Sequence, residues 1–426
     1  MKNSGKQPIT LQRRGFITGA AAIGASTLAM PNIVAAQNKA PIRIGMPSIF
    51  SGVFALLGQA SSSGARIEID KINEAGGIGG RKLELVVRDA KGKPDEATKV
   101  VRDLVNSEGC EIILNAETSA SAFAVQELVR DLGVLCIHTN SETSTLTANP
   151  KIAAPTCFRS ARQGIHDAVG GGQYTAMQVK KTQHFKFMTA APDYAYGRAN
   201  TAEFMEFAKI FEPRIEMIDQ AWPKLFQPDF TEVVTKILQS KPQALYTALF
   251  GGDLVAFIDQ GILYGLFDQI ETFSVNLGDY AVLTQVKQLP QGLHSGTRYN
   301  RTVPATPANE AFYAAYTKKF TDHKICNWSW ENATGATFMI EALKKTNGAT
   351  NGMKLAEIIA GMKIDSPFGV DGTLTMRAED HTVINYVVGY GVTIPKEPYI
   401  KDVFTADWGP ILEHEKDWKK RNGYTA

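Results

Sequence analysis

The sequence predicts an α/β protein made of two lobes, each with a mostly parallel sheet flanked by helices. The chain has 426 residues, which exceeds the roughly 250–300 residues at which a single hydrophobic core stops growing. From Pro41, short β-branched runs alternate with longer amphipathic runs, which is typical of βαβ units, and the alternation begins again near His184. Hydrophobic residues make up 44% and charged residues 21% of the chain, which favours a globular protein over a disordered chain or a membrane bundle.

Residues 1–36 are predicted to be an export signal that is cleaved after Ala36. Its segment Gln12-Arg13-Arg14-Gly15-Phe16-Ile17 resembles a twin-arginine signal. The apolar run that follows is rich in Gly and Ala, whereas a transmembrane anchor needs roughly 20 strongly apolar residues. Cleavage lowers the Lys and Arg count from 45 to 41 against 43 acids, so the formal net charge changes from +2 to −2. A mature chain without a basic stripe is not expected to bind nucleic acid.

The first lobe is predicted to alternate four strands with three helices. The first helix carries Ala65, Ile69 and Ile72 at helical spacing, with charged residues on its other faces. Its strands are expected at residues 42–48, 83–88, 111–115 and 134–138, and its helices at residues 60–74, 95–106 and 121–131.

The second lobe is predicted to start near His184. Its first helix places Phe204, Phe207 and Phe211 on one face. Its strands are expected at residues 185–190, 215–219 and 243–250, and a helix at residues 200–211. Further along the chain, helices are expected at residues 310–320 and 332–345, and a last strand at residues 383–392. The tail after Thr393 has no equivalent earlier in the chain.

The sequence contains no motif that indicates an enzyme, a cofactor or a metal. Residues 76–80 are rich in glycine, but they follow a helix and precede a strand, which is the reverse of a dinucleotide fingerprint. The seven histidines show no HExxH spacing, and no GxSxG elbow occurs. The cysteines are too far apart in sequence for a CxxC motif and are expected to be buried free thiols, although export makes disulfides chemically possible. They are Cys110, Cys136, Cys157 and Cys326.

Four loops after predicted strands form the candidate ligand-binding region, because ligands of open α/β sheets bind beyond the carboxyl ends of the strands. These loops are residues 48–58, 115–121, 139–145 and 191–197. The second and third are rich in hydroxyl and amide groups and open a helix or turn, whose backbone N–H groups can receive a carboxylate. The alternative is that these hydroxyl groups are ordinary helix N-caps.

Several segments match the pattern of one known family. They are residues 42–52 (IRIGMPSIFSG), Gly58, Gly64, Ala65, residues 70–73 (DKIN), residues 75–85 (AGGIGGRKLEL), Asp89, Tyr196-Gly197, Phe230, Gly252-Asp253 and Gly265. The chain resembles the leucine/isoleucine/valine-type periplasmic binding proteins over most of residues 41–345, and less closely to about residue 390. The resemblance implies two Rossmann-like lobes joined by a three-crossover hinge, with the ligand cleft between them. The crossovers are expected near residues 158–162, 291–299 and 366–371.

The same resemblance implies the division of the chain into domains. The first lobe is expected to comprise residues 37–160 and 295–367, and the second lobe residues 161–294 and 368–392. Residues 393–426 are then a C-terminal extension.

The resemblance also implies the residues that bind the ligand. The family holds the ligand's carboxylate near the positions of Ser119 and residues 140–143. Leu277 stands where amino-acid binders carry the acid for the amino group, so Asp279 becomes the candidate for that contact. The implied site is Phe54, Leu57, Ser119, Ala120, Asn140, Ser141, Glu142, Thr143, Tyr196, Phe250 and Asp279.

The ligand class stays open at this point. A buried ammonium group without a partner costs several kcal/mol, so an amino-acid ligand requires Asp279, Glu142 or another acid in the cleft. An aromatic or aliphatic acid without an amino group requires none. Leu57 and Phe54 make one wall apolar, and Trp328 or Trp330 is a further candidate for the cleft.

The resemblance implies a non-catalytic, periplasmic protein that captures a small carboxylate-bearing solute, either a branched-chain-type amino acid or a related organic acid. Hinge closure would then present the solute to the permease subunits of an ABC transporter, which would be the protein's only link to the membrane. The alternatives are a soluble ligand sensor for a signalling partner and an α/β enzyme with the hydroxyl-rich loops as its active site.

Overall fold

The computed structural model of the protein describes residues 39–425. The export signal predicted at residues 1–36 lies outside the described residues. Within residues 39–425, no helix combines the length and the apolar character that crossing a bilayer requires. The fold rests on a five-stranded sheet in the first lobe and a seven-stranded sheet in the second, with a small three-stranded sheet beside them.

The first lobe alternates strands and helices in chain order. Its elements are β1 (Ile42–Ser48), α1 (Ala55–Glu74), β2 (Leu83–Asp89), α2 (Pro94–Asn106), β3 (Ile112–Asn115), α3 (Ser119–Leu132), β4 (Leu135–His138), α4 (Thr145–Ala148) and β5 (Cys157–Arg159). The five strands are parallel and lie in the order β2-β1-β3-β4-β5. β3 and β4 are buried along their whole length, as expected for the inner strands of a parallel sheet that helices cover on both faces.

The second lobe continues the alternation after β5. Its elements are α5 (Gly164–Thr182), β6 (Lys186–Ala190), α6 (Ala195–Phe211), β7 (Glu216–Ala221), α7 (Thr231–Ser240), β8 (Ala244–Thr247), α8 (Gly251–Leu263), α9 (Leu266–Gln269), β9 (Glu271–Ser274), α10 (Tyr280–Leu283) and β10 (His294–Gly296). These five strands are parallel, in the order β10-β9-β8-β6-β7. The predicted α/β fold with mostly parallel sheets is confirmed, although the sequence did not indicate the short strands β5, β9 and β10.

Three helices then cover the first lobe: α11 (Pro307–Lys319), α12 (Asn327–Lys345) and α13 (Gly352–Ile359). α12 packs along α1 at very short range. A Cβ atom on Gly64 of α1 would lie 2.0 Å from the backbone oxygen of Ser329 in α12. Only glycine therefore permits this helix pair, which explains why a helix former such as alanine is missing at that position.

The last elements are β11 (Lys363–Asp365), β12 (Thr373–Met376), β13 (Val383–Ile384), β14 (Gly389–Thr393), β15 (Ile400–Thr405) and α14 (Trp408–Arg421). β11, β12 and β13 form the small antiparallel sheet, whereas β14 joins the second lobe antiparallel to β10. The single strand predicted at residues 383–392 is therefore two strands in different sheets. Asn385 between them has φ 77°, a left-handed conformation that turns the chain.

The C-terminal segment, which the sequence left outside both lobes, packs on the second lobe. β15 pairs with β14 and becomes an edge strand of the seven-stranded sheet. His414 of α14 packs edge-on against Phe207 and Phe211 of α6, with ring centroids 5.6 and 5.0 Å apart. Glu415 accepts a hydrogen bond from Arg377 Nη1 at 2.6 Å. The segment thus completes a helix layer and an edge of the sheet.

The chain connects the two lobes three times. It leaves the first sheet after β5, near the predicted crossing at residues 158–162, and returns after β10, near the crossing at residues 291–299. The third connection lies between β13 and β14 and follows the small sheet, whereas the sequence placed it at residues 366–371.

Candidate ligand-binding site

A cavity of about 400 Å³, counted with its open mouth, lies between the lobes. Its walls come from loops at the carboxyl ends of β3, β4, β6, β8, β9 and β10, together with α1 and α12. The lining residues are Leu57, Glu117, Thr118, Ser119, Asn140, Glu142, Tyr194, Tyr196, Phe250, Asn276, Arg298 and Trp328. This is the position at which open α/β sheets bind ligands.

The N-terminus of α3 supplies polar groups to the first-lobe wall. The hydroxyl oxygen of Thr118 caps the helix by accepting a hydrogen bond from Ser121 N at 3.3 Å. The backbone N–H groups of Ser119 and Ala120 precede the first intrahelical bond and have no protein acceptor among residues 39–425. Ser119 also lines the cavity. These donors, at the positive end of a helix dipole, are suited to a carboxylate.

Glu117 lies beside those donors and is 1% exposed. Its Oε2 accepts a hydrogen bond from Thr118 N at 3.2 Å, while Oε1 has no partner among the described residues. Burial raises the pKa of Glu117 to about 7, although the hydrogen bond from the backbone N–H of Thr118 opposes the shift. Near neutral pH this side chain therefore exists both as a neutral acid and as an anion.

A buried ion-pair network forms one end of the cavity. Arg298 Nη2 donates to Glu142 Oε1, and Nη1 lies 3.2 Å from Asp167 Oδ2. The three side chains are at most 5% exposed. Asp167 also accepts a hydrogen bond from Arg162 Nε at 2.9 Å. Two carboxylates raise the pKa of Arg298 well above its usual value despite burial, so the protein itself already balances this charge.

Aromatic side chains cover the opposite part of the cavity. The Tyr196 and Phe250 rings meet edge-to-face with centroids 5.6 Å apart, and Trp328 lies 6.4 Å from Phe250. The Tyr196 hydroxyl oxygen accepts a hydrogen bond from Asn276 Nδ2 at 3.1 Å. Edge-to-face packing holds these rings in place, so this part of the cavity is an aromatic slot with apolar walls.

The two lobes touch each other beside the cavity. Phe226, in the loop after β7, places its ring 4.7 Å from Phe54 of the first lobe. Its backbone has φ 65°, an uncommon conformation for a bulky residue. Phe226 N donates to Asp253 Oδ2 at 3.0 Å. The described conformation is therefore one in which the lobes are closed on the cavity.

The structure brings together six of the residues named from the sequence. Leu57, Ser119, Asn140, Glu142, Tyr196 and Phe250 all line the cavity. Phe54 lies behind Phe250, at a centroid distance of 5.1 Å. Ser141 and Thr143 hold the loop from outside the cavity: Ser141 Oγ donates to Glu117 O at 3.0 Å, and Thr143 O accepts from Arg159 Nη1 at 2.8 Å.

Asp279, the expected partner of an amino group, lies outside the cavity lining. It caps α10, since its Oδ1 accepts a hydrogen bond from Ala281 N at 2.9 Å. Burial raises its pKa to about 6. Leu277 is fully buried in the core of the second lobe. The local reason is that Asp279 starts a short helix, which turns its carboxylate toward the backbone.

Sequence reasoning missed several lining residues. Glu117, Thr118 and Tyr194 lie within loops that the sequence had singled out, and Trp328 was one of its two tryptophan candidates. Asn276 and Arg298 follow β9 and β10, which were not predicted, so no signal in the sequence pointed to them.

Comparison with known proteins agrees with this arrangement. The family model described as periplasmic binding protein matches residues 41–393. Leu/Ile/Val-binding protein homolog 7 of Brucella abortus (strain 2308) is 24% identical over 331 residues, which are 74% of this chain and 79% of the relative. Homolog 8 of the same strain is 23% identical over 359 residues, which are 82% of this chain and 86% of the relative.

Solved structures share the fold at lower identity. A solute-binding protein of an ABC transporter from Rhodopseudomonas palustris BisB5, in complex with 3,4-dihydroxybenzoic acid, gives a TM-score of 0.75 at 22% identity and covers 87% of this chain and 99% of that one. The branched-chain amino acid transporter substrate-binding protein LivJ from Streptococcus pneumoniae, in complex with isoleucine, gives 0.71 at 20% identity over 86% and 99%. These neighbours bind different ligand classes, so likeness alone does not fix the ligand. The chain belongs to the periplasmic binding protein family, as a substrate-binding protein of the ABC-transporter type.

Proposed function

We propose that this protein captures a small carboxylic acid with a flat apolar body outside the cytoplasm and delivers it to the permease subunits of an ABC transporter by hinge closure. The observation that carries the proposal is the cavity between the lobes, which joins free donors at the N-terminus of α3 to an aromatic slot. The ligand makes contacts to both lobes only when they are closed, so its binding energy shifts the protein toward the closed form.

The carboxylate of the ligand binds at the start of α3. The Ser119 hydroxyl and the backbone N–H groups of Ser119 and Ala120 are the donors, and Asn140 extends the polar wall. Asn140 is held in place because its Nδ2 donates to Ser61 Oγ at 2.9 Å and its Oδ1 accepts from Asn332 Nδ2 at 2.8 Å. A pre-positioned donor set lowers the ordering cost of binding.

The apolar body lies between Leu57 and the rings of Tyr196, Phe250 and Trp328. A planar ring fills such a slot by edge-to-face and offset contacts. A 3,4-dihydroxybenzoate and a 4-hydroxybenzoate are the ligands in two of the solved neighbours from Rhodopseudomonas palustris. Substituted benzoates are therefore the first candidates for this chain.

The acids of the cavity favour a ligand without an ammonium group. The charge of Glu142 is balanced by Arg298, which donates to Oε1, although Oε2 has no partner among residues 39–425. Asp279 caps a helix outside the lining. Burial raises the pKa of Glu117 to about 7, so this side chain is only partly ionised at neutral pH. The ammonium group of an amino acid needs an ionised carboxylate as its partner. Binding of an amino acid would therefore include the cost of fully ionising Glu117.

An amino-acid ligand is the second candidate, because Glu117 Oε1 is buried and has no partner among residues 39–425. An ammonium group that reached Glu117 Oε1 would donate a hydrogen bond to it. The Leu/Ile/Val-binding homologues and the isoleucine-bound neighbour make branched-chain amino acids the natural examples.

The test is a binding screen of residues 37–426 by thermal shift and calorimetry. The panel contains benzoate, 4-hydroxybenzoate, hexanoate, leucine and isoleucine, since a ligand specific to the folded state raises Tm. Stabilisation by the acids alone supports the proposal, and stabilisation by leucine or isoleucine alone supports the second candidate. No response from any of them contradicts both.

One variant and its control test whether the ligand binds in the cavity. Ser119→Ala removes a hydrogen bond to a charged group, which is worth about 1.5–3 kcal/mol, so Kd should rise roughly 10–100-fold. Ser107→Ala is the control, because Ser107 is exposed and lies outside the lining. Equal Kd values for the two variants would exclude the start of α3 as the carboxylate site. Loss of uptake of the bound acid in cells that lack the gene tests the delivery step.

A further inference from the structure

Three metal-ligating side chains meet in the first lobe, away from the ligand cavity. Cys136 and His138 point to the same face of β4, because side chains two residues apart in a strand share a face. Cys157 of β5 is the direct partner of Cys136 in the parallel register. One ligand atom of each of the three residues lies within 4.8 Å of the other two. Cys136 and Cys157 are 21 residues apart in the sequence, which matches no metal-binding motif, so sequence analysis predicted no metal site.

The histidine of this cluster has an unpaired nitrogen. His138 is fully buried, and its Nε2 has no hydrogen-bond partner among residues 39–425. Its Nδ1 lies 2.9 Å from the side-chain amide of Asn115, whose Oδ1 is also without a partner in the described part of the chain. Buried polar atoms are nearly always paired, so the unpaired Nε2 of His138 needs an explanation.

A metal ion on Nε2 supplies that explanation. In metal sites, the second ring nitrogen of a ligating histidine carries the proton and donates it to a fixed acceptor. Rotation of the Asn115 amide by half a turn places Oδ1 where Nδ2 now lies, and Oδ1 then accepts from Nδ1–H. The orientation of such an amide is assigned from its hydrogen bonds. The rotated form gives Oδ1 a partner, moves Nδ2 to the position that has none among residues 39–425, and leaves the Nε2 lone pair free to bind a metal ion.

A second cavity gives a route from the surface to the cluster. It holds about 460 Å³ including its mouth, and Cys157 forms part of its wall. Glu379, Asp380 and His381 lie around the same cavity, and Glu379 is exposed. The exposed Glu379 carboxylate can attract a cation to this opening, whereas Asp380 is already paired with Arg377 and Lys419.

We propose that Cys136, His138 and Cys157 bind a soft d10 cation, Cu(I) or Zn(II), through two thiolates and one imidazole. Soft sulfur ligands select these ions, whereas Mg²⁺ and Ca²⁺ require oxygen ligands. Among the described residues no fourth ligand belongs to the cluster, and zinc in structural sites is almost always four-coordinate. Cu(I) therefore matches the site better than Zn(II).

Binding is a ligand exchange without electron transfer. Each cysteine loses its thiol proton to solvent as its sulfur coordinates the ion, and the imidazole stays neutral. The ion then cross-links β4 to β5 beneath the loop that carries Asn140 and Glu142. It is a structural site, and it does not depend on the identity of the solute in the cleft.

The experiment uses the reduced, metal-free protein of residues 37–426. Cu(I) and, separately, Zn(II) are titrated against a chromogenic chelator, while near-ultraviolet absorption reports thiolate–Cu(I) charge transfer and a thermal scan reports Tm. We expect one ion bound per chain, a charge-transfer band with Cu(I), and a higher Tm. If the protein binds Zn(II) in preference to Cu(I), the cluster is a site for Zn(II).

Variants decide whether the cluster is the site. Cys157→Ala and His138→Asn should each lose stoichiometric binding, whereas Cys110→Ala, at a buried thiol outside the cluster, should retain it. Circular dichroism identifies variants that do not fold, and Cys136→Ala provides an independent replacement. Binding of neither ion by the folded reduced protein, or binding that survives Cys157→Ala, overturns the proposal. A Cys136–Cys157 disulfide in protein isolated from its producing cells also overturns it.

Discussion

Protonation of Glu117 should control ligand affinity, and the sign of its effect should identify the ligand class. Glu117 lines the cavity beside the donors of Ser119, and burial raises its pKa to about 7. A bound carboxylate is repelled by ionised Glu117 and can accept a hydrogen bond from the neutral acid. A bound ammonium group prefers the ionised form. A carboxylic acid therefore takes up a proton when it binds, whereas an amino acid releases one.

The size of the effect follows from the pKa. With a pKa of about 7, the protonated fraction of Glu117 falls from about nine-tenths at pH 6 to about one-tenth at pH 8. If only the protonated form binds, the Kd of an acid rises about tenfold over that range. For an amino acid the Kd falls by a similar factor. In Glu117→Gln the side chain stays neutral, so the Kd of an acid should be independent of pH.

Calorimetry between pH 6 and 8 measures this directly. Titrations in buffers of different ionisation enthalpy give the number of protons taken up or released, besides the Kd. Glu127→Gln is the control, because Glu127 is an exposed carboxylate on the same helix. A pH dependence that is unchanged in Glu117→Gln, or a wild-type Kd for a bound acid that is the same at pH 6 and pH 8, would refute the reasoning.

Three further predictions concern stability. Arg298→Met leaves Glu142 buried without its partner, so the free energy of unfolding should fall by about 3–5 kcal/mol in urea titrations, and adding Glu142→Gln should recover part of the loss. Burial raises the pKa of Glu203 to about 8, so this group's contribution to the free energy of unfolding is lost as pH rises from its unfolded pKa toward 8. The free energy of unfolding of Glu203→Gln should therefore increase relative to the wild type by about 1.4 kcal/mol per pH unit between pH 5 and 8. A difference between the two proteins that stays constant over this range would contradict the prediction. Gly64→Ala forces a Cβ atom against Ser329 O and should lower the free energy of unfolding by roughly 1–3 kcal/mol, whereas an unchanged Tm would mean that α1 and α12 separate easily.

The sequence by itself determined the fold class and most of the strands, helices and loops that carry the site. Alternating β-branched and amphipathic runs are local patterns, so β1 to β4, β6 to β8 and the helices α1, α2, α3 and α6 were predictable from periodicity. Leu57, Ser119 and Tyr196 line the cavity as the family resemblance implied, because the loop after a parallel strand has a fixed place at the edge of the sheet. The ends of short elements carry less signal, and β9 and β10 were missed for that reason.

Only the tertiary structure decided which polar groups meet. Arg298 and Glu142 are 156 residues apart in the sequence, and their pairing depends on the way the chain crosses between the lobes. Asp279 stands near the expected position in sequence, but a local helix cap turns it away from the cavity. Cys136 and Cys157 become neighbours through the parallel register of two strands. Periodicity records which face of an element is buried, whereas the partner across that face is set by the packing of the whole chain.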